Sequence, residues 1–360
     1  TTSGSTLQTL HLGNLTLTRR PRTQVRFPPP SGHLATNGTF SLTYAQPVRV
    51  FMGQSYLCPT MLRVDPSPDR KESMFGYIYK KDAAAIAVIL ALCLGVGTFF
   101  DYQISSMLFN SSSMYGRFIE AAGELPFELT ASIAGVMLVR SARPDSRGSK
   151  WLAVLGILVN VGLAGYEIVS SLKVGGKLIA VQLVLTFVLV IAANLIVYRL
   201  TRATEPDELT RWALMVLAVW VAQAIILNVI VKPLWSRPRM RVIEVTPGLN
   251  FQPWWVIGNP DKWSYIAAGV IKDGFKSFAS GHTAHAAIGL MLAGLPAAAF
   301  KEKPSHRRVV FWTAAVVAAL VAFGRIVIGA HFLSDVSCGF ALVLALECLA
   351  ARIAYPNGVQ

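Results

Sequence analysis

The sequence predicts an all-α, polytopic transmembrane helical bundle of about six to eight spans. Three observations point there. Hydrophobic residues make up 53% of the 360 and charged residues only 14%, with a mean hydropathy of +0.50. Eight apolar segments, most of them near the roughly 20 residues a helix needs to cross hydrocarbon, follow one another after residue 82. Basic residues gather in alternate connections between those segments, as bilayer orientation requires. The formal net charge of +14 is thus explained without nucleic acid, because the cations sit between apolar segments rather than on one soluble face.

Residues 1–81 differ from the rest. They hold ten Lys/Arg against three Asp/Glu and are rich in Thr, Ser, Pro, Gly and Arg. They show no sustained period and no apolar core suited to a signal peptide, so a disordered extension is expected. Residues 1–73, which precede Met74, read as part of that extension or as a mis-extended reading frame, and deleting them is expected to leave activity intact.

The bundle is expected over 82–354, with spans near 83–100, 126–141, 151–171, 178–199, 211–231, 282–300, 308–328 and 336–353, and a short tail at 355–360. The segment at 126–141 is the shortest. Lys80 and Lys81, the loop 140–150 (Arg140, Arg143, Arg147, Lys150), the loop 199–211 and the loop 301–308 (Lys301, Lys303, Arg307, Arg308) fall on one side, read as cytoplasmic. The loops 101–125, 172–177, 232–281 and 329–335 then share the other side. Cys93, Cys338 and Cys348 lie inside apolar runs and read as small packed residues; no Cys/His spacing suggests zinc or a disulfide framework.

Three clusters fall on the non-cytoplasmic side. "VKPLWSRPRMR" supplies Lys232, Arg237 and Arg239, a point charge and planar donor forks suited to phosphoryl oxygens. "FKSFASGHT" supplies Ser280, Gly281 and His282 just ahead of an apolar helix, where N–H groups form an anion site. "FGRIVIGAHFLSD" supplies Arg325, near a membrane boundary, with His331 and Asp335 four apart, so that a carboxylate can hold one ring nitrogen and leave the other nucleophilic. His282 would be a second imidazole, able to protonate a leaving oxygen. His285 reads as a pocket-lining neighbour. Trp254, Trp255, Trp263, Phe275 and Phe278 read as interface anchors, and Asp101 and the acids of "ELPFEL" at 124–129 as structural.

A literal Pro-Ser-Gly-His also occurs at 30–33. It follows three prolines, precedes no span and has no cationic cluster around it, so it reads as loop punctuation. The imperfect copy, Ala279-Ser280-Gly281-His282, has the context that the literal one lacks.

Together the clusters resemble the signature of the type 2 phosphatidic acid phosphatase (PAP2) superfamily, which includes lipid phosphate phosphatases and vanadium haloperoxidases. The family pattern is Lys-x6-Arg-Pro, Pro-Ser-Gly-His and Ser-Arg-x5-His-x3-Asp. Here Met240, Ala279 and Gly324 replace the first Pro, the second Pro and the Ser, while every charged and imidazole position is kept. The resemblance covers roughly 83–353, with the motifs in 232–335. It implies a PAP2-like core and an integral membrane lipid phosphatase. In that scheme His331 is the nucleophile, Asp335 its orienting carboxylate and His282 the general acid and base. Lys232, Arg237, Arg239, Ser280, Gly281 and Arg325 hold the phosphoryl group, and no metal or other cofactor takes part. The expected partners are a lipid phosphate or diphosphate and membrane lipids. A phosphotransferase sharing the site, or a non-catalytic lipid-binding or transport protein, are the alternatives.

Overall fold

The computed structural model describes residues 8–12, 15–19, 74–143, 146–174, 179–296, 299 and 304–357. The chain divides into two units, 1–64 and 65–360. In the first, β1 (Gln8–Leu12) and β2 (Leu15–Arg19) pair antiparallel, with Gln8 opposite Arg19 and Leu12 opposite Leu15. The apolar residues of "QTLHL" and "LTLTR" alternate at the strand period of two, so these ten residues depart from the expected lack of regular structure. The tetrapeptide at 30–33 lies outside the described residues.

Among its described residues, the regular structure of the second unit is helical apart from a small antiparallel ladder, β3 (Met74–Phe75) with β4 (Ile78–Tyr79). Tyr77 and Ile78 are each 2% exposed, so the bundle takes in residues 74–81, which the sequence groups with the extension. Four long helices and two shorter ones open the series: α1 (Lys80–Leu108), the shorter α2 (Met114–Ala122) and α3 (Leu125–Arg140), then α4 (Arg147–Val174), α5 (Ile179–Leu200) and α6 (Pro206–Ile225). A π-helical turn, Ile226–Val231, leads from α6 into the short α7 (Lys232–Trp235) and α8 (Met240–Ile243). Then come α9 (Lys262–Ala267), α10 (Gly281–Ile288), α11 (Pro304–Val327) and α12 (Leu333–Ala354).

Among the described residues, seven stretches are long and apolar enough to cross a membrane: 80–108, 114–140, 147–172, 182–200, 206–243, 305–327 and 333–354. The expected span at 282–300 is the one that differs. α10 continues only as a 3₁₀ segment, Gly289–Gly294, so the described element covers about 24 Å at the usual rises of 1.5 and 2.0 Å per residue. Ala284, Ala286, Ala287, Ile288, Leu290 and Met291 are fully buried, so this element runs through the protein interior rather than along lipid.

Burial separates centre from rim. α3 is central, packing on α4, α5, α6 and α10, and Ala131, Ala134, Met137 and Leu138 are fully enclosed. Its shortness reflects that place, since a helix sheathed by other helices need not match the lipid thickness. α4 and α5 lie at the rim, with Leu158, Val161, Val184, Val188 and Ile191 exposed as lipid-facing residues would be. Polar side chains tie rim to centre: Ser132 of α3 donates to Asn160 Oδ1 of α4 at 2.6 Å, and Asn194 Nδ2 of α5 donates to Ser132 Oγ at 2.8 Å.

Long-range contacts define one end of the bundle. Arg308 Nη2 donates to buried Asp82 at 2.6 Å, Arg307 Nη1 to the Ala293 carbonyl at 2.8 Å, and the Tyr77 hydroxyl to Glu347 at 2.7 Å. This end holds the basic connections. The three sequence clusters meet at the other end.

Candidate active site

Main-chain hydrogen bonds stitch the three clusters together. Ser277 N donates to Arg237 O at 3.0 Å, Arg241 N to Gly329 O at 2.9 Å, and Ser280 N to Asp335 O at 3.0 Å. The approach is tight, for a Cβ added at Gly339 on α12 would lie 2.4 Å from Ser280 O. Ser236 makes the entry, ending α7 in the left-handed region at φ 49°, where only a sharp turn justifies a non-glycine residue.

That turn sends Arg237 into the core, which corrects its expected place among the phosphate ligands. Its guanidinium is fully buried between the rings of Phe332 and Phe251, 4.3 and 5.2 Å from their centroids. Nε donates to Gln252 O (2.7 Å), Nη1 to Asp335 Oδ1 (2.5 Å) and Ser334 Oγ (2.9 Å), and Nη2 to Asp101 Oδ2 (2.9 Å). Its fork is spent on the protein, and it anchors Asp335. Asp101, which also accepts from Ser334 N (2.9 Å) and from the Ser334 hydroxyl, completes this network.

Asp335 does not face His331 across a helical turn as the spacing suggests. His331 precedes α12, and Asp335, in the first turn, accepts from Phe332 N at 2.8 Å and from Ser277 Oγ at 2.5 Å. His331 Nδ1 lies 2.6 Å from Ser277 O and 3.8 Å from Asp335 Oδ2. Nδ1–H therefore donates to the carbonyl, and Nε2 keeps its lone pair. Burial lowers the proton affinity of the ring, the nearby Asp335 carboxylate opposes that, and the charges of Arg325 and Arg239 add to the lowering, giving a pKa of about 3.

Cations surround this imidazole. Arg239 Nη1 donates to Asp273 Oδ2 at 2.6 Å, while its buried Nε has no hydrogen-bond partner. Asp273 itself is pushed up by burial, but Arg239 and then Lys276 outweigh this and hold its carboxyl below the ordinary value. Arg325 is buried on α11; its Nη1 is 3.5 Å from Glu120 Oε1, and neither Nε nor Nη1 has a hydrogen-bond partner. Arg241 donates to the same Glu120 oxygen at 2.8 Å. Lys232 Nζ donates to Asn228 at 2.9 Å and stands over the start of α10, 3.0 Å from where a Gly281 Cβ would be. Ser280 caps α10, its Oγ accepting from Thr283 N at 3.4 Å and sharing a 2.9 Å bond with Thr283 Oγ1. His282 Nδ1 and His285 Nδ1 both approach Glu124 Oε1.

Among the described residues no group of three or more His, Cys, Asp or Glu is placed to hold a metal ion. What the arrangement offers is a nucleophilic imidazole beside unspent guanidinium donors, with a second imidazole at a helix start. That is the equipment for capturing an anionic, tetrahedral group and attacking it.

Of the aromatic residues expected at an interface, Phe275 and Phe278 are buried. Phe278 stacks between Trp235 (4.9 Å) and Trp254 (6.1 Å), while Trp255 and Trp263 are exposed. One motif departure has a steric reason. A Cβ at Gly324 would meet Ile119 side-chain atoms at 2.6 to 2.8 Å, so the Ser of the family pattern does not fit against this α2. Met240 is a fully buried first residue of α8, and nothing in the structure explains Ala279.

The fold is a helical bundle with seven membrane-span-like helices among the described residues, and one end of it gathers two histidines with Lys232, Arg239 and Arg325. Residues 211–358 match the model of the PAP2 superfamily, a family that generally comprises phosphatases. No curated protein and no solved structure matches the chain. Asp101, Glu120 and Glu124 all come from outside the matched region.

Proposed function

We propose that the chain is an integral membrane phosphatase that hydrolyses a lipid phosphate or diphosphate monoester through a phosphohistidine at His331, on the non-cytoplasmic face. One observation carries this reading: Arg239 Nε and Arg325 Nε and Nη1, which make no hydrogen bond within the protein, accompany a buried His331 whose Nδ1 is committed to Ser277 O. Buried donors without acceptors are costly, and an anion that accepts from them removes the cost.

In the first step His331 Nε2 forms a bond to phosphorus as the bond to the leaving oxygen breaks, and His282 delivers a proton to that oxygen. In the second, His282 takes a proton from water as its oxygen attacks phosphorus, and His331 leaves. Lys232, Arg239, Arg325 and the N–H groups at the start of α10 neutralise the equatorial oxygens throughout. Arg237 and Asp335 keep the nucleophile in place. The outer-face assignment is supported by the basic connections gathering at the end remote from the site.

The test is phosphate release from a panel of lipid phosphates by the purified chain in detergent. Wild type is expected to release phosphate and His331→Ala to fall to background. Equal release by both would refute the proposal.

A further inference from the structure

Among the described residues Glu124 is the acid that approaches both His282 and His285, yet it lies outside the PAP2 match. It sits at the junction of α2 and α3. Oε1 lies 3.3 Å from His282 Nδ1 and 3.1 Å from His285 Nδ1, and Oε2 accepts from the Tyr166 hydroxyl of α4 at 2.5 Å. The carboxylate is therefore pinned by two other elements, α10 and α4. His285 is in turn fixed by stacking on Phe127, with ring centroids 4.7 Å apart. The His282 side chain is the more open of the two, 26% exposed against 15%. The other charges acting on this group are Arg325 from α11, Lys232 beyond the π turn, Glu128 one turn along α3 and, through His282, the His331 ring.

We infer that Glu124 is the positioning residue for His282: it holds Nδ1–H and leaves Nε2 to exchange the proton with the leaving oxygen and then with water. The inference rests on the catalytic reading of His331 and His282 given above. Two physical consequences follow from a carboxylate at Nδ1. It fixes the tautomer in which Nε2 is the free nitrogen, and it works toward the imidazolium, the form that a general acid must hold before the leaving oxygen departs. It does so against the burial and the Arg325 charge that together hold the His282 ring well below its ordinary proton affinity. A carboxylate whose second oxygen is occupied by Tyr166 and whose first is shared with His285 has no freedom to follow another partner, so the His282 ring is oriented before substrate arrives. The proton balance is closed: His282 gives one proton to the leaving oxygen and recovers one from the attacking water, and Glu124 remains ionised in both steps.

A group that acts by loading a general acid is distinguishable from one that merely ties helices together. Proton donation matters for an alkoxide leaving group and hardly at all for a nitrophenolate, which leaves unassisted. The experiment measures kcat/KM across pH for Glu124→Gln, Glu124→Asp and Tyr166→Phe in the full chain, with an alkyl lipid phosphate and with p-nitrophenyl phosphate. Glu124→Gln is expected to lose roughly 10²-fold on the alkyl substrate and only a few-fold on the aryl one. Its basic limb should move to lower pH, because the imidazolium has lost its counter-charge, and Glu124→Asp should restore most of the alkyl activity. Tyr166→Phe, which deletes one oxygen, should change the alkyl-to-aryl ratio in the same direction by less, and serves if Glu124→Gln does not fold. Equal losses on both substrates with an unmoved pH profile, or an unchanged ratio in Tyr166→Phe, would overturn the inference. Those outcomes beside an inactive His331→Ala would leave the catalytic reading standing, whereas an active His331→Ala would remove that reading itself.

Discussion

His331 and His282 flank the same anion site, yet their Nδ1 atoms are held by groups of different charge and origin. His331 leans on a neutral carbonyl, Ser277 O, at 2.6 Å, with its own carboxylate, Asp335, standing back at 3.8 Å. His282 faces a carboxylate oxygen directly, 3.3 Å away on Glu124. A neutral acceptor orients a ring without loading it with a proton, which suits a nucleophile. A charged acceptor favours the loaded ring, which suits a proton donor. The support differs as well. Asp335 is clamped by Arg237 inside a sealed network with Asp101, whereas Glu124 is tied to Tyr166 at the partly open side of the site.

The largest expected effect is on the His331 flank. Arg237→Leu leaves Asp101 and Asp335 buried without their shared cation, and removing one partner of a buried ion group costs about 3–5 kcal/mol. Thermal unfolding in detergent should show a large loss of stability, and a variant melting like wild type would break the claim that Arg237 is an anchor rather than a phosphate ligand.

A smaller effect is expected where α2 meets α11. Gly324→Ser restores the residue of the family pattern but drives its Cβ into Ile119, and overpacking of this kind costs about 1–3 kcal/mol. The double variant with Ile119→Ala should recover part of that loss in the same melting assay. Additive losses would show that the Ile119 contact is not what excludes the serine.

The comparison also explains what the sequence made legible. Apolar run length and the spacing of basic residues gave the helical bundle, seven of the eight expected segments as span-length helices, and the three clusters at one end. The exception, 282–300, reads as a span because composition cannot tell a helix bathed in lipid from one sheathed by protein. Within the site, Arg237 was misplaced because Arg237-Pro238 and Arg239-Met240 look alike in one dimension; only the left-handed turn at Ser236 separates an inward guanidinium from a site-facing one. Asp101 and Glu124 were read only as structural, and Glu120 was not singled out, because their partners lie more than a hundred residues away and no local period records such a pairing. A signal was present nonetheless. All three are acids inside or at the ends of apolar helices, and the cost of placing a charge there, which drew attention to Arg325, applies equally to them.

The central claim is that His331 is a neutral, carbonyl-oriented nucleophile. Rapid quenching into alkali after mixing with a lipid substrate labelled in its phosphoryl group, at pH 7.5 and at pH 5, tests it most directly. With the ring at about 3, labelled phosphohistidine at residue 331 should form at both pH values at comparable rates. A ring of ordinary pKa would be almost wholly protonated at pH 5 and would slow roughly 30-fold. Such slowing, or label on another residue, would contradict the account.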